Sequence, residues 1–275
     1  MGKTMLEDKA FEIRCSIIRS IANCGSGHLG GSLSIVELLT YLYYKEMKID
    51  TKNPDKINRD KFVCSKGHAG PGVYAVLADL DFFPKEWLTT LNQGGTRLPS
   101  HCDMNRTPGI DFTTGSLGQG ISAAVGLALG QRMLGLHSNT FALIGDGETQ
   151  EGQVWEAAET AGQWKLDNLI AFTDFNKQQL DGYLKDVVNL DNLKSRWVSF
   201  GWHTQQIDGH NFSEIEKAIN NAKNTKGKPS MIILDTLKSK GYIPGENNVS
   251  NHHIKLDKEA GERAILQLKE REGRI

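Results

Sequence analysis

The chain has 275 residues, of which 39% are hydrophobic and 24% charged, a composition that is ordinary for a folded globular protein. Its 32 basic and 33 acidic side chains leave a net charge of -1, so no overall field attracts nucleic acid or an anionic membrane surface. We therefore expect neither nucleic acid nor a membrane as a partner.

The N-terminal segment and the cysteines both favour a cytoplasmic protein. The first nine residues contain no uninterrupted apolar run of signal-peptide length. The longest nearly uncharged stretch, residues 109–130, is too rich in Gly, Ser and Thr to span a membrane. The four cysteines lack the paired spacing of zinc sites, so we expect reduced thiols. They are Cys15, Cys24, Cys64 and Cys102.

Taken in chain order, the apolar pattern alternates between helices and strands. Three- and four-residue spacing predicts an opening helix over residues 6–22. Capping boxes at residues 34–37 and 213–216 predict two further helices, the first running to about Glu46. Short apolar runs of strand length are 61–64, 140–144, 169–173, 202–207 and 231–235. The alternation indicates an α/β fold with a mainly parallel sheet covered by helices.

The chain carries no visible internal repeat and no low-complexity linker. We therefore predict a single domain over residues 1–275. Residues 256–275 are charged and predict a C-terminal helical extension of that domain.

Glycine is enriched, at 29 of 275 residues, and much of it lies in four loops. The loops are residues 25–31, 66–72, 115–120 and 145–152. In open parallel sheets, loops at the carboxyl ends of strands form the ligand crevice, and glycine lets the backbone approach a ligand closely. The excess glycine therefore predicts a binding site.

Two apolar runs are each followed by a side chain that suits a hard metal ion. Asp146 stands in a Gly-Asp-Gly turn after the run 140–144, and Asn176 follows the run 169–173. A plain turn would explain Gly-Asp-Gly alone, but not the second oxygen at a neighbouring strand tip. Carboxylate and amide oxygens suit Mg²⁺ or Ca²⁺, and octahedral geometry favours Mg²⁺.

This spacing of Gly-Asp-Gly and a later Asn resembles the thiamine diphosphate binding motif. The wider chain, from about residue 6 to 256, resembles the N-terminal half of transketolase through five motifs in family order. They are Ser26-Gly-His28, Ser65-Lys-Gly-His68, residues 113–120, residues 145–152 and Ile207-Asp-Gly-His210. The resemblance implies the diphosphate-binding (PP) domain of that family, with thiamine diphosphate and Mg²⁺ or Ca²⁺ as cofactors.

The resemblance also implies roles for individual residues. The implied metal ligands are Asp146, Asn176 and the main-chain carbonyl of Gln178. The implied cofactor-binding residues are His68, Gly115, Ser116, Leu117, Asp146, Gly147, Asn176 and His252.

Three histidines, His28, His101 and His252, match family histidines that act on the substrate. Cleaving a ketose between C2 and C3 requires removal of the proton from the C3 hydroxyl, and imidazole, with a pKa near ~6.5, is suited to it. The match near residue 252 is loose, so His253 stays an alternative to His252. His210 is expected to have a structural role in its turn.

The family activity is transfer of a two-carbon ketol unit from a ketose, such as a sugar phosphate of the pentose phosphate pathway, to an aldose. The glutamate that activates the cofactor lies in the next domain of transketolases, and these 275 residues lack that domain. The chain therefore resembles the first chain of a split transketolase, whose second subunit supplies the pyrimidine-binding domain and the catalytic Glu. We expect an α₂β₂ assembly with Glu151 and Glu156 in its interface, although an exposed helix face also explains these two residues.

Two other functions stay open. A relative of deoxyxylulose phosphate synthase would lack the Ser-Lys-Gly-His form found here, and a catalytically silent regulatory paralogue would have no physical reason to keep the metal and histidine set. Sugar phosphates, sulfonated sugars and branched sugars are all conceivable substrates.

Overall fold

A computed structural model describes residues 4–275 and has a five-stranded parallel sheet at its centre. The strands are β1 Lys61–Cys64, β2 Thr140–Gly145, β3 Leu169–Phe175, β4 His203–Asp208 and β5 Ser230–Asp235. Their order across the sheet is β1-β2-β3-β5-β4, and every neighbouring pair is parallel. The α/β class is confirmed, and each predicted strand lies within about two residues of an observed one.

Ten α-helices accompany the sheet within the described range. They are α1 Met5–Cys24, α2 Leu29–Leu33, α3 Val36–Tyr41, α4 Gly70–Asp79, α5 Gln119–Met133, α6 Gly152–Gln163, α7 Leu184–Val187, α8 Leu193–Ser199, α9 Phe212–Asn224 and α10 Lys258–Arg271. A π-helical turn, Leu42–Glu46, continues α3. Over residues 4–275, no helix combines the length and apolar character that a membrane span requires.

The sheet is apolar on both faces because helices cover both of them. Phe141 and Leu143 of β2 belong to one apolar cluster, together with residues of α1, α3, α4 and α9. The alternate residues Ala142 and Ile144 belong to a second cluster, with residues of α5, α6 and α8. The period of two along the strand thus divides the core into two layers on either side of the sheet.

The predicted opening helix is confirmed, and its ends have clear causes. Thr4 and Glu7 form a reciprocal capping box at its start, and Gly25 ends it with a left-handed φ of 86°. At the other end of the chain, α10 packs on α1, and its residues Ala264 and Ile265 belong to the same apolar cluster as the buried face of α1.

Both capping boxes predicted further along the chain are wrong, although a helix follows each. Ser34 Oγ donates instead to the Asp174 carboxylate at 2.7 Å, and α3 begins only at Val36. Helix α9 is capped by Asn211, whose Oδ1 accepts from the backbone N–H groups of Ser213 and Glu214. In the first case Asp174 binds the hydroxyl that was expected to cap the helix, and in the second Asn211 caps the helix in place of Ser213.

Gly162 in α6 tests how closely the helices pack. A β-carbon at this position would lie 2.0 Å from the Phe200 carbonyl oxygen. In Gly162→Ala, the added methyl group would push α6 away from Phe200, which directly follows α8. We therefore expect the free energy of unfolding, measured in urea, to fall by about 1–3 kcal/mol. Gly126→Ala in α5 is the matched control, since nothing lies within 4 Å of its β-carbon position. It should gain up to about 1 kcal/mol from helix propensity, and equal stability of the two variants would contradict this packing.

Candidate active site

The carboxyl ends of four parallel strands converge at one edge of the sheet. Gly145 of β2 pairs with Asp174 of β3, so Asp146 and Asn176 follow at neighbouring strand tips. The Lys177 N–H joins them by donating to Asp146 Oδ2 at 2.6 Å. A cavity of about 260 Å³ opens here, and its lining includes His68, Leu117, Asp146, Gly147, Asn176, Gln178, Lys238 and His252. Most of the predicted cofactor-binding residues therefore share one cavity.

The oxygen atoms of Asp146 and Asn176 form a donor set that suits a hard cation. Asn176 Nδ2 donates to Asp174 Oδ2 at 2.9 Å, which leaves Asn176 Oδ1 to accept from the Gln178 N–H. Burial and the nearby Asp174 raise the pKa of Asp146 to about 7. A bound cation would offset both effects. The described residues contain no group of three or more His, Cys, Asp or Glu side chains that could hold a metal. A cation at this position would therefore need amide and backbone oxygens as additional ligands.

Asp174 is the buried centre of the hydrogen bonds at this edge. Its carboxylate pairs with Lys66 Nζ at 2.5 Å and accepts from Ser34 Oγ and from Thr236 Oγ1. Burial by itself would raise the pKa of Asp174, but Lys66 and the hydroxyl donors hold it below its ordinary value. The carboxylate thereby joins β3 to the loops after β1 and β5.

Glu148 fixes the glycine-rich loop 115–120. Its Oε1 accepts from the Gly118 N–H at 2.9 Å and from the Ser65 hydroxyl, while Oε2 accepts from the Gly145 N–H at 2.9 Å. Of the three loop residues predicted to contact the cofactor, only Leu117 lines the 260 Å³ cavity.

The other two predicted loop residues, Gly115 and Ser116, lie outside that cavity in a shallower depression. A β-carbon on Gly115 would lie 3.5 Å from His101, so the loop flanks the histidines instead. The close approach requires Gly67, whose β-carbon would lie 2.8 Å from the Gly115 nitrogen.

Five histidines form a cluster beside the cavity. The centroid of the His28 ring lies 5.4 Å from His68, 5.8 Å from His101, 5.4 Å from His252 and 4.9 Å from His253. Burial and neighbouring positive groups lower the pKa of His28 to about 4 and that of His252 to about 3. Both rings are therefore neutral near pH 7 and are able to accept a proton.

The structure places His252 and His253 differently with respect to the cavity, whereas the sequence leaves open which of them is the active-site histidine. His252 lines the cavity, contacts the His68 ring at 4.9 Å and lies 3.4 Å from Lys238 Nζ. His253 is exposed and is not part of the cavity lining, and its ring centroid lies 4.9 Å from that of His28. The segment that carries His252 and His253 packs directly on the loop 25–31. A β-carbon on Gly30 would lie only 2.5 Å from the Asn251 carbonyl oxygen, so this close contact requires glycine.

Comparison with known proteins matches this site to one family. Residues 7–273 match the family described as transketolase, thiamine diphosphate binding domain. The chain belongs to the transketolase family. It is 53% identical over 98% of its length, and 97% of the relative's, to the 6-deoxy-6-sulfo-D-fructose transketolase subunit SqwG of Clostridium sp. (strain MSTE9). It is 38% identical, over 96% of each chain, to an apulose-4-phosphate transketolase subunit of Actinobacillus succinogenes.

Solved transketolases share the fold but are longer. The transketolase from Leishmania mexicana superposes with a TM-score of 0.93 at 30% identity, over 99% of this chain and 42% of that one. The chain is thus the thiamine diphosphate-binding part of a transketolase, and its length matches that of relatives that are single subunits. It is a subunit of a thiamine diphosphate-dependent transferase.

Four charged residues of this transketolase site were missed in the sequence. Lys66 stands inside the quoted Ser65-Lys-Gly-His68 motif, and Asp174 interrupts an otherwise apolar strand, so both gave a signal. Glu148 likewise stands inside the motif 145–152, whereas Lys238 gave no signal beyond following a strand. Lys238 is 2% exposed and lines the cavity, and burial together with Lys66 lowers its pKa to about 8.

The geometry of His210 agrees with the expected structural role. Its Nδ1 lies 3.0 Å from Glu37 Oε2, and its Nε2 accepts from the Leu237 N–H at 2.8 Å. Glu37 also pairs with Arg14 at 2.6 Å. Burial would raise the pKa of Glu37, but Arg14 and His210 lower it to about 2. This buried chain of contacts holds the segment that carries Lys238.

The neutral histidine cluster should make stability depend on pH. The pKa values of His28 and His252 in the folded chain, about 4 and about 3, lie below the ordinary 6.5. The unfolded chain therefore binds more protons as pH falls, so this stabilisation is complete above pH ~6.5 and is lost progressively below it. The raised pKa of Asp146 contributes with the opposite sign over the same pH range, so the test is a comparison. Between about pH 7 and 5, we expect the urea midpoint to fall more in wild type than in the double variant His28→Gln, His252→Gln.

The exposed His137, which precedes β2 at the opposite edge of the sheet, supplies the control for this measurement. His137→Gln should keep the wild-type pH dependence. A double variant with the same slope as wild type would show that the cluster is not held neutral.

Proposed function

We propose that this chain is the diphosphate-binding subunit of a two-chain transketolase that takes a sulfonated ketohexose as its ketol donor. The observation that carries the transferase function is one cavity lined by Asp146 and Asn176 together with His68 and His252, two members of the histidine cluster. The choice of donor rests on the 53% identity to a sulfofructose transketolase subunit, against 38% to an apulose-4-phosphate one. Metabolism of sulfonated sugars then replaces the pentose phosphate pathway expected from the sequence.

Some residues of the cavity would bind the metal cation, and others would bind the diphosphate anion. Asp146, Asn176 and the Gln178 carbonyl would hold Mg²⁺, since the raised pKa of Asp146 is what a cation there would offset. His68 and Gly147 would hold the diphosphate, and the buried Lys238 adds positive charge on the same side. When bound, thiamine diphosphate supplies the electron sink that lets the bond between C2 and C3 of a ketose break.

The histidines would accept a proton from the ketose and form hydrogen bonds with its hydroxyl groups. His28 is neutral near pH 7, so its free ring nitrogen can accept the proton of the C3 hydroxyl. His101 and His252 flank it at 5.8 Å and 5.4 Å and would bind hydroxyls of the two-carbon unit and orient the C3 hydroxyl. Because the cluster is partly buried, each imidazole contact acts where competing water is reduced.

A second subunit would complete the site. Leu117 and Leu180 line the cavity yet are 37% and 67% exposed, and they form an apolar rim that a partner would cover. In this proposal the partner supplies the pyrimidine-binding domain and the catalytic Glu in an α₂β₂ assembly. Glu151 and Glu156 are exposed at the start of α6, where they are free to enter its interface. We further propose one PP domain over residues 1–275 and a cytoplasmic location.

Cofactor binding should depend on a divalent cation. Titration calorimetry of the assembled enzyme should show tight thiamine diphosphate binding with Mg²⁺ and no measurable binding in EDTA. Asp146→Ala should also abolish binding, because it removes the charged ligand. Asp55→Ala, an exposed carboxylate in a remote loop, is the control and should bind like wild type. Unchanged affinity in EDTA would refute the metal site.

The donor is tested on the chain assembled with its second subunit. Removing C1 and C2 from 6-deoxy-6-sulfofructose leaves a tetrose with the sulfonate on its last carbon, while an added glyceraldehyde 3-phosphate gains two carbons to become a ketopentose phosphate. We expect mass spectrometry to detect both products, with kcat/KM at least ~10-fold above that for fructose 6-phosphate.

Two controls separate the parts of this proposal. A preference for fructose 6-phosphate or apulose 4-phosphate would overturn the sulfonated donor but leave the transferase. The chain without its partner should show no transfer, and transfer by the chain alone would overturn the two-subunit proposal.

A further inference from the structure

We propose that His253 is a specificity residue of this transketolase and contacts the ketose donor beyond C3. The inference rests on the proposed function, since it concerns how the same site binds the part of the ketose donor that lies beyond the two-carbon unit. His253 is distinct from His252, to which the cavity-side role is assigned above.

A short antiparallel ladder fixes the position of His253. Ser26 pairs with Lys255 and Gly27 with Ile254, so the next residues along the ladder, His28 and His253, stand opposite each other. Their rings meet edge to face, 4.9 Å apart at an interplanar angle of 82°. The Leu256 N–H donates to the Gly25 carbonyl at 3.0 Å and anchors the far end of this pairing. The backbone register, and not a flexible side-chain contact, therefore sets His253 against His28.

His28 stands between the cofactor cavity and His253. The His68 and His252 rings lie 4.9 Å apart and both line the 260 Å³ cavity, whereas His28 and His253 are not part of its lining. His253 is also exposed. In this proposal, a ketose with C2 at the cavity and its C3 hydroxyl at His28 directs its remaining carbons away from the cavity, past His253.

The chemistry of imidazole suits that part of the substrate. An imidazole ring forms hydrogen bonds through its two ring nitrogens, which suits the hydroxyl groups at C4 and C5 of a ketose. A donor that carries nothing beyond C3 would not reach His253. The class of ligand is therefore a polyhydroxylated ketose of more than three carbons, and the expected role is binding rather than proton transfer at the reacting bond.

The test uses the assembled two-chain enzyme and two donors. One is 6-deoxy-6-sulfofructose, and the other is hydroxypyruvate, whose third carbon is a carboxylate. His253→Ala should raise KM for the ketose about tenfold, the effect of losing a substrate hydrogen bond. It should leave kcat within about threefold, and leave KM for hydroxypyruvate and the affinity for thiamine diphosphate unchanged. His253→Gln, which keeps a donor and an acceptor, should recover part of the ketose KM.

His137→Ala controls for the loss of a histidine elsewhere on the surface and should match wild type with both donors. An unchanged ketose KM in His253→Ala would overturn the inference while the proposed function stands. An equal rise in KM for both donors, or weaker cofactor binding, would also overturn it, because the role would then lie at the reacting centre or in folding. Wild-type enzyme that transfers from no ketose but uses hydroxypyruvate would instead contradict the proposed donor class.

Discussion

The buried ion pair between Lys66 and Asp174 is the interaction on which the site depends. Both side chains are at most 2% exposed, and breaking such a pair by removing one partner costs about 3–5 kcal/mol because a buried charge is left uncompensated. The remaining lone pairs of Asp174 are satisfied by Ser34, Thr236 and Asn176. These partners come from the segment between α2 and α3, from the loop after β5 and from the loop after β3, so one carboxylate sets the relative position of segments distant in sequence.

The ion pair leaves an unbalanced distribution of charge at the cavity. Lys66 pairs with Asp174, which leaves Asp146 facing the cavity without a side-chain cation of its own within hydrogen-bond distance in the described chain. Lys238 faces the same cavity, and burial with Lys66 lowers its pKa to about 8. Each group would be relieved by an opposite charge, Asp146 by a cation and Lys238 by an anion. A metal ion together with a diphosphate supplies both charges at once, which is why the two bind as a unit in this proposal.

The sequence predicted what local pattern and parallel-sheet geometry decide, and missed what distant contacts decide. Asp146 and Asn176 were expected at neighbouring strand tips because carboxyl ends of parallel strands share an edge, and the structure places them there. The capping box at Ser34 failed because its hydroxyl bonds a carboxylate 140 residues away. The partners of Lys66 and Glu148 are likewise 108 and 30 residues distant, in Asp174 and Gly118, and no helix or strand periodicity predicts such pairs.

The contacts that fix the site indicate which parts of the proposed two-chain enzyme this chain supplies. The groups that would hold the metal are fixed by contacts within this chain, through the strand tips, the Asp174 centre and Glu148. The ladder that opposes His28 and His253 is also internal. What the chain leaves exposed is the apolar rim at Leu117 and Leu180. This chain therefore positions the cofactor-binding residues and the histidines by itself. In the proposed two-chain enzyme, exclusion of water and activation of the cofactor would depend on the subunit that covers this rim.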